Sequence, residues 1–125
     1  VSQASFNPPG ITVAVAKDRA IESFMQVNKT FVINILREDN FQKMFRHFLK
    51  RFAPGANRFA DVDIIKDLAK GGPVLADSLA YLDCKVISRL ETPDHWIIYG
   101  VVENGSVSDL SCKTAVHHRK VANHY

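Results

Sequence analysis

The chain has 125 residues, 46% of them hydrophobic and 23% charged, which suffices for one domain with a buried core and excludes a disordered tail. It contains no apolar run of about eighteen residues, which argues against a transmembrane helix and a membrane partner. The formal net charge of +3 and a pI near 9.0 come from cations scattered among acids, a pattern that suits a small anionic ligand better than nucleic acid.

The chain starts at Val1 with no basic, apolar and small-residue leader, so the expectation is a cut end and no secretion signal. Residues 8–10, Pro-Pro-Gly, cannot enter a helix, and the apolar run at 11–16 with β-branched Val13 and Val15 predicts a strand after a turn. Asp18 is a good N-cap, and Ile21, Phe24 and Met25 at spacings of three and four predict a short amphipathic helix. Residues 31–36, FVINIL, read as a second strand, apolar except for Asn34. Asn40 opens a second helix whose Phe41, Met44, Phe45, Phe48 and Leu49 form one apolar stripe. Residues 52–63 are a loop by their Pro, Gly and Asn content, and two phenylalanines in it predict that it packs on the domain. A long strand follows at 79–90, with polar positions at Asp83, Lys85 and Ser88. Residues 95–110 alternate again, with a tight turn expected at Asn104 and Gly105. The result is a mainly β, α+β domain over residues 1–125, without repeat or linker.

Its chemistry is defined first by what is missing. No GxGxxG or GxxxxGK[ST] occurs, no GxSxG elbow, and no CxxC pair; Cys84 and Cys112 read as reduced thiols. Adjacent His117 and His118 point to opposite faces of an extended chain, so no metal is expected. Three features remain. The corner Ser5, Phe6, Asn7, Pro8 and Pro9 places a hydroxyl and an amide on a backbone poor in N–H donors, which suits the edge of a planar polar heterocycle or a simple turn into a strand. The Asn34 amide, inside an apolar strand, must find partners from a ligand or from backbone. Lys17 and Arg19, between a strand and a helix start, offer a place for a phosphate or a solvated helix end.

Together SFNPPGITVAVAKDR, FVINIL, the segment from Phe48 to Phe59, GGPVLADSLAYLDCKV and DHWIIYGVV resemble the flavin reductase-like family, whose fold is a split β-barrel that binds FMN or FAD. NPPGITVAVAKDRAIES, HFLKRFAPGANRFA and TAVHHRKVANHY are similar, more narrowly, to the C-terminal flavin reductase domain of the flavodiiron proteins of oxygenic phototrophs. The resemblance implies an NAD(P)H:flavin oxidoreductase module with FMN as cofactor and FAD as the alternative. It also implies flavodoxin-like and diiron domains in the same or a partner chain, a homo- or hetero-oligomer, and a cytoplasmic or plastid-stromal location. A non-catalytic flavin-binding electron relay on the same barrel is the second reading.

Carried over by position, Ser5 to Pro9 would line the isoalloxazine edge and Asn34 would touch it from the barrel wall. Lys17 and Arg19 would lie near the phosphate, with Lys50 and Arg51 as second choices. His95 would border the nicotinamide and act in catalysis, while His118, Arg119 and Tyr125 belong to a C-terminal stretch that returns to the cofactor. In the family the SFNPPG corner follows a strand pair of which only residues 1–4 have counterparts here, so the expectation is an N-terminally shortened barrel with an exposed edge, and a fragment whose own flavin binding and activity are in question.

Overall fold

The computed structural model describes residues 1–116 and 118. Strands dominate: β1 (Ser2–Phe6), β2 (Pro9–Ala16), β3 (Thr30–Leu36), β4 (Ile64–Ile65), β5 (Val74–Leu75), β6 (Ser78–Glu91) and β7 (His95–Val107), with one helix, α1 (Phe41–Phe48), and a 3-10 helix at Ala20–Phe24. Five strands form an antiparallel sheet in the order β1-β2-β7-β6-β3, and β4 pairs with β5 apart from it.

The sheet curls because β2 and β3, on opposite sides of the β7–β6 pair, share one core. Ile11 and Val15 of β2 pack with Phe31 of β3, Cys84 and Val86 of β6, Ile98 of β7, and Met25, which follows the 3-10 helix. Period-two alternation puts these residues on one face of each strand, and closing that face against itself removes it from water. Phe31 occupies a position that two glycines keep open: a Cβ on Gly100 would stand 2.9 Å from its ring, and one on Gly71 would stand 2.4 Å from its backbone carbonyl carbon. Burial leaves the Cys84 thiol 1% exposed and pushes its pKa up to about 11, with the Asp83 and Glu103 charges adding to the shift, so it is an inert core residue.

A second apolar cluster lies outside the sheet, where Met44, Val62 and Leu75 are joined by Leu36, Phe48, Phe59 and Ile64. The loop phenylalanines anchor as expected: Phe59 packs on Phe48 at 5.3 Å between centroids, and Phe52 meets the His47 ring at 5.5 Å. Two polar side chains on the sheet strap this layer down. Asp83 is buried and accepts the N–H groups of Lys70 (2.7 Å) and Gly71 (3.0 Å), while Asn34 accepts from Leu75 N–H (2.8 Å) and donates to the Pro73 carbonyl (3.2 Å).

Three expectations change, and one strand is added. The predicted helix after Asp18 is a 3-10 helix whose N-cap is Arg19, without a side-chain cap bond, and Ile21 and Phe24 are exposed. Five residues are too few for a stable amphipathic α-helix. Asn104 and Gly105 lie inside β7, beside a register shift, and the hairpin turns instead at 92–94, where Thr92 N–H donates to the His95 carbonyl at 2.9 Å. Asn40 holds the N-cap position of α1, but its amide donates to the Asp77 carbonyl at 3.4 Å, and Leu49 lies exposed just past the helix. Residues 2–6, too polar to signal a strand, pair with β2 across the corner.

An ion cluster fixes the end of β3. Arg37 bonds Asp39 through two nitrogens (3.0 and 3.1 Å), approaches Asp109 at 3.7 Å, and bridges to Thr114 through its backbone. The Arg37 hydrogen bonds hold the Asp39 carboxyl below its ordinary range. A depressed carboxylate stabilises the fold above its unfolded-state pKa and loses that contribution as pH falls through the folded value. Asp39→Asn should therefore lower Tm at neutral pH, with the difference from wild type closing below about pH 4; a pH-independent difference in thermal melts would show that charge is not the cause.

Candidate functional site

Among the described residues, β2 beyond Thr12 has no partner on its β1 side, because the last β1–β2 pair is Ser2 with Thr12, and β3 pairs along residues 30–36 with β6 alone. A cavity of about 800 Å³ lies between these two one-sided edges, lined by residues 13–16 of β2 and 31–33 of β3, with Met25 and Ile21 beside it. Lys17, Asp18, Arg19, Pro93, Asp94 and His95 form its mouth. The walls are apolar side chains and half-paired backbone, which is what a flat heterocycle with an apolar face and a polar edge requires.

The mouth is built by two turns tied to each other, since Lys17 N–H donates to the Asp94 carbonyl at 3.0 Å. Thr92 closes the hairpin turn twice, its hydroxyl donating to the His95 carbonyl (2.9 Å) and accepting from the His95 N–H (3.0 Å). The imidazole itself is held by Asp94: Nδ1–H donates to the carboxylate at 2.8 Å, which fixes the ring and holds the Asp94 carboxyl below its usual range. Lys17 Nζ pairs with Glu91 at 2.7 Å and sits 5.5 Å from the Trp96 ring centroid. Arg19 extends into solvent, with Asp18 at 3.9 Å.

Of the residues singled out in the sequence, Lys17, Arg19 and His95 meet at this mouth. The others do not. The Ser5 to Pro9 corner is a hairpin turn, with a cis Asn7–Pro8 bond, at the far end of β2, roughly 20 Å along the strand from residue 16. Its serine is engaged internally: the hydroxyl bonds the Pro8 carbonyl (2.8 Å) and the Tyr99 hydroxyl (2.9 Å), while Phe6 is exposed. Asn34 follows the cavity residue Ile33, but both ends of its amide are taken by the 73–75 backbone, the second of the alternatives open for it. Lys50 and Arg51 are exposed after α1, away from the cavity, and His118 is exposed. Arg119 and Tyr125 lie outside the described residues. No group of three or more His, Cys, Asp or Glu residues able to hold a metal exists among the described residues.

Sequence reasoning missed Glu91, Arg89 and Trp96. The Arg89 guanidinium stacks 4.1 Å from the Trp96 centroid and bonds Glu22 and Gln26. The available signal was a charged pair at alternate positions near the end of a strand otherwise facing the core.

The chain matches the flavin reductase like domain over residues 1–124. It belongs to that family. Diflavin flavoprotein A 1 of Synechocystis is 62% identical over all 125 residues, which cover 22% of that protein. The chain thus spans about a fifth of the length of the curated relatives it matches. Among solved structures, an NADH:FAD oxidoreductase of Streptomyces globisporus superposes with a TM-score of 0.80 at 26% identity, over 90% of this chain and 66% of that one. An FMN-binding protein of Thermus thermophilus shares the fold, with a TM-score of 0.71 at 17% identity. This flavin reductase like domain is therefore a split barrel, as the motifs implied. No helix among the described residues is long and apolar enough to cross a membrane.

The Asn34 geometry makes a separable expectation. Asn34→Leu leaves the Leu75 N–H without its acceptor and should cost about 1–3 kcal/mol in denaturant unfolding. Because the amide faces the strap, flavin affinity measured well below the melting range should stay within about twofold of wild type; a large affinity loss would return Asn34 to the ligand site.

Proposed function

We propose that the domain is an NAD(P)H-dependent flavin reductase module that holds FMN in the cavity between β2 and β3 and passes electrons to flavodoxin-like and diiron domains of a larger oxygen-reducing protein. The observation that carries the reading is the cavity itself, in a chain of this family: residues of β2 and β3 border an apolar space, and its mouth gathers two cations and a histidine fixed by a carboxylate. The Streptomyces relative named for NADH and FAD supports the same pairing of cofactor and donor, with FAD the alternative to FMN here.

The residues present fit a flavin mononucleotide. Backbone N–H and C=O groups of residues 13–16 and 31–33 would meet the polar edge of the ring, and Met25 and Phe31 would meet its face. Arg19, and Lys17 once drawn from Glu91, would hold the phosphate by charge-assisted bonds. Bound there, the flavin supplies the capacity to accept a hydride and release electrons singly. The protein's part is placement. His95, oriented by Asp94, would border a nicotinamide at the mouth, and the apolar walls would exclude water from the transfer.

Lys17→Ala and Arg19→Ala should each weaken FMN more than riboflavin, since only FMN carries the phosphate. Glu91→Gln should strengthen FMN by releasing Lys17. His95→Ala should keep flavin and lose about tenfold or more in stopped-flow reduction by NAD(P)H, equivalent to roughly 1.4 kcal/mol in the barrier. Equal losses for the two flavins remove the phosphate assignment, and an unchanged rate per bound flavin removes His95. Flavin that binds but is not reduced by either nicotinamide makes the domain a relay.

A further inference from the structure

β6 changes face partway along its length. Val86 stands opposite Gly100 and Ser88 opposite Tyr99, so Ile87 is an extra residue, a β-bulge. Before it, Cys84 and Val86 face the core; after it, Arg89 stands opposite Ile98 and Glu91 opposite Trp96, both on the core side. Without the bulge, Ser88 and Leu90 would occupy that side. Instead Leu90 is 66% exposed, and a charged side chain, 9% exposed, sits at the end of the barrel.

There Arg89 is clamped between two elements. Below it lies the Trp96 ring, and above it are the Glu22 carboxylate of the 3-10 helix and the amide oxygen of Gln26, whose own nitrogen bonds Glu22 at 3.2 Å. Its Nε is buried without a hydrogen-bond partner, so the side chain sits there at a desolvation cost that only the clamp offsets. The clamped segment has little else to hold it. The 3-10 helix has five residues, no cap bond from a side chain and no buried residue of its own; Met25 and the pairing of Asn28 and Lys29 with Val86 are its other attachments. Ile21 and Met25 nevertheless form a wall of the cavity, and the helix begins right after Arg19 at the mouth.

We infer that Arg89 is a positioning residue: through Glu22 and Gln26 it pins residues 20–26 as a wall of the cavity and so sets affinity for the occupant without touching it. The inference rests on the reading of the cavity as the flavin site, and its test separates the two. In the intact protein, Arg89→Met, the milder Glu22→Gln, and the inverted pair Glu22→Arg/Arg89→Glu are compared by FMN titration and by limited trypsin digestion well below the melting range. The single variants should raise the FMN Kd about tenfold for Arg89→Met and less for Glu22→Gln. They should also speed cleavage after Arg19 and Lys29 about tenfold while cleavage after Lys85, in the core strand, keeps its wild-type rate. The inverted pair should recover most of both.

Unchanged cleavage after Arg19 and Lys29, acceleration at Lys85 to the same degree, or loosened cleavage with an unchanged Kd overturns the assignment. A wild-type protein that binds no FMN defeats the flavin reading, and the digestion pattern then decides by itself whether Arg89 pins the wall.

Discussion

The extra residue in β6 governs the functional end of this barrel. A strand alternates its side chains with a period of two, so a single inserted residue exchanges the faces of everything after it. Ile87 makes that exchange, placing Arg89 and Glu91 on the face of Ile98 and Trp96, with Arg89 buried and Glu91 exposed at the strand end, and Leu90 on the opposite face. Glu91 then reaches Lys17 and Arg89 reaches Glu22, so both segments that shape the mouth, residues 17–19 and 20–26, are tied to the same stretch of β6. The cost is an exposed leucine and a desolvated guanidinium. Natural strands tolerate such costs where geometry serves a site, and removing one partner of a buried pair is much more damaging than the pair is stabilising.

On the other face of the sheet, polar side chains hold down a loop. Asn34 and Asp83 lie on adjacent strands and bind consecutive parts of one loop, residues 70–75, through four backbone groups. This strap carries Leu75 into the outer cluster with Met44 and Val62 and holds Gly71 against the Phe31 backbone. The barrel thus has an inner core that bounds the cavity and an outer layer that stiffens β3 from behind. At the Ser5 to Pro9 corner, the serine and Tyr99 bond each other beside Gly10, where a Cβ would stand 2.5 Å from the serine oxygen.

Elements with strong periodicity were legible in the sequence: β3, β6 and α1 follow from their apolar patterns, and the loop after α1 packs through the phenylalanines that marked it. The family resemblance supplied the closure into a split barrel, which alternation alone does not specify. The misreadings have local causes. Asn104 and Gly105 have turn chemistry but are carried through by a strand paired along its whole length, and Gly105 serves close approach, with a would-be Cβ 2.7 Å from the Tyr81 carbonyl. The bulge at Ile87 left one mark, the shift of the polar outer positions from odd (Asp83, Lys85) to even (Ser88), which passes for simple alternation. Lys17, Arg19 and His95, which border the cavity mouth, stood out in the sequence because they flank strand ends. Arg89 was missed because its partners lie 63 and 67 residues away in sequence.

Where the flavin binds can be measured on the intact protein. Hydrogen–deuterium exchange with and without FMN, read by mass spectrometry on the intact protein, gives its footprint directly. Binding in the cavity predicts slowed exchange at residues 13–19, 31–33 and 93–95, with the hairpin at 5–10 unchanged. Protection concentrated at residues 5–10, with the β2 and β3 edges unaffected, would contradict the account and return the cofactor to the corner.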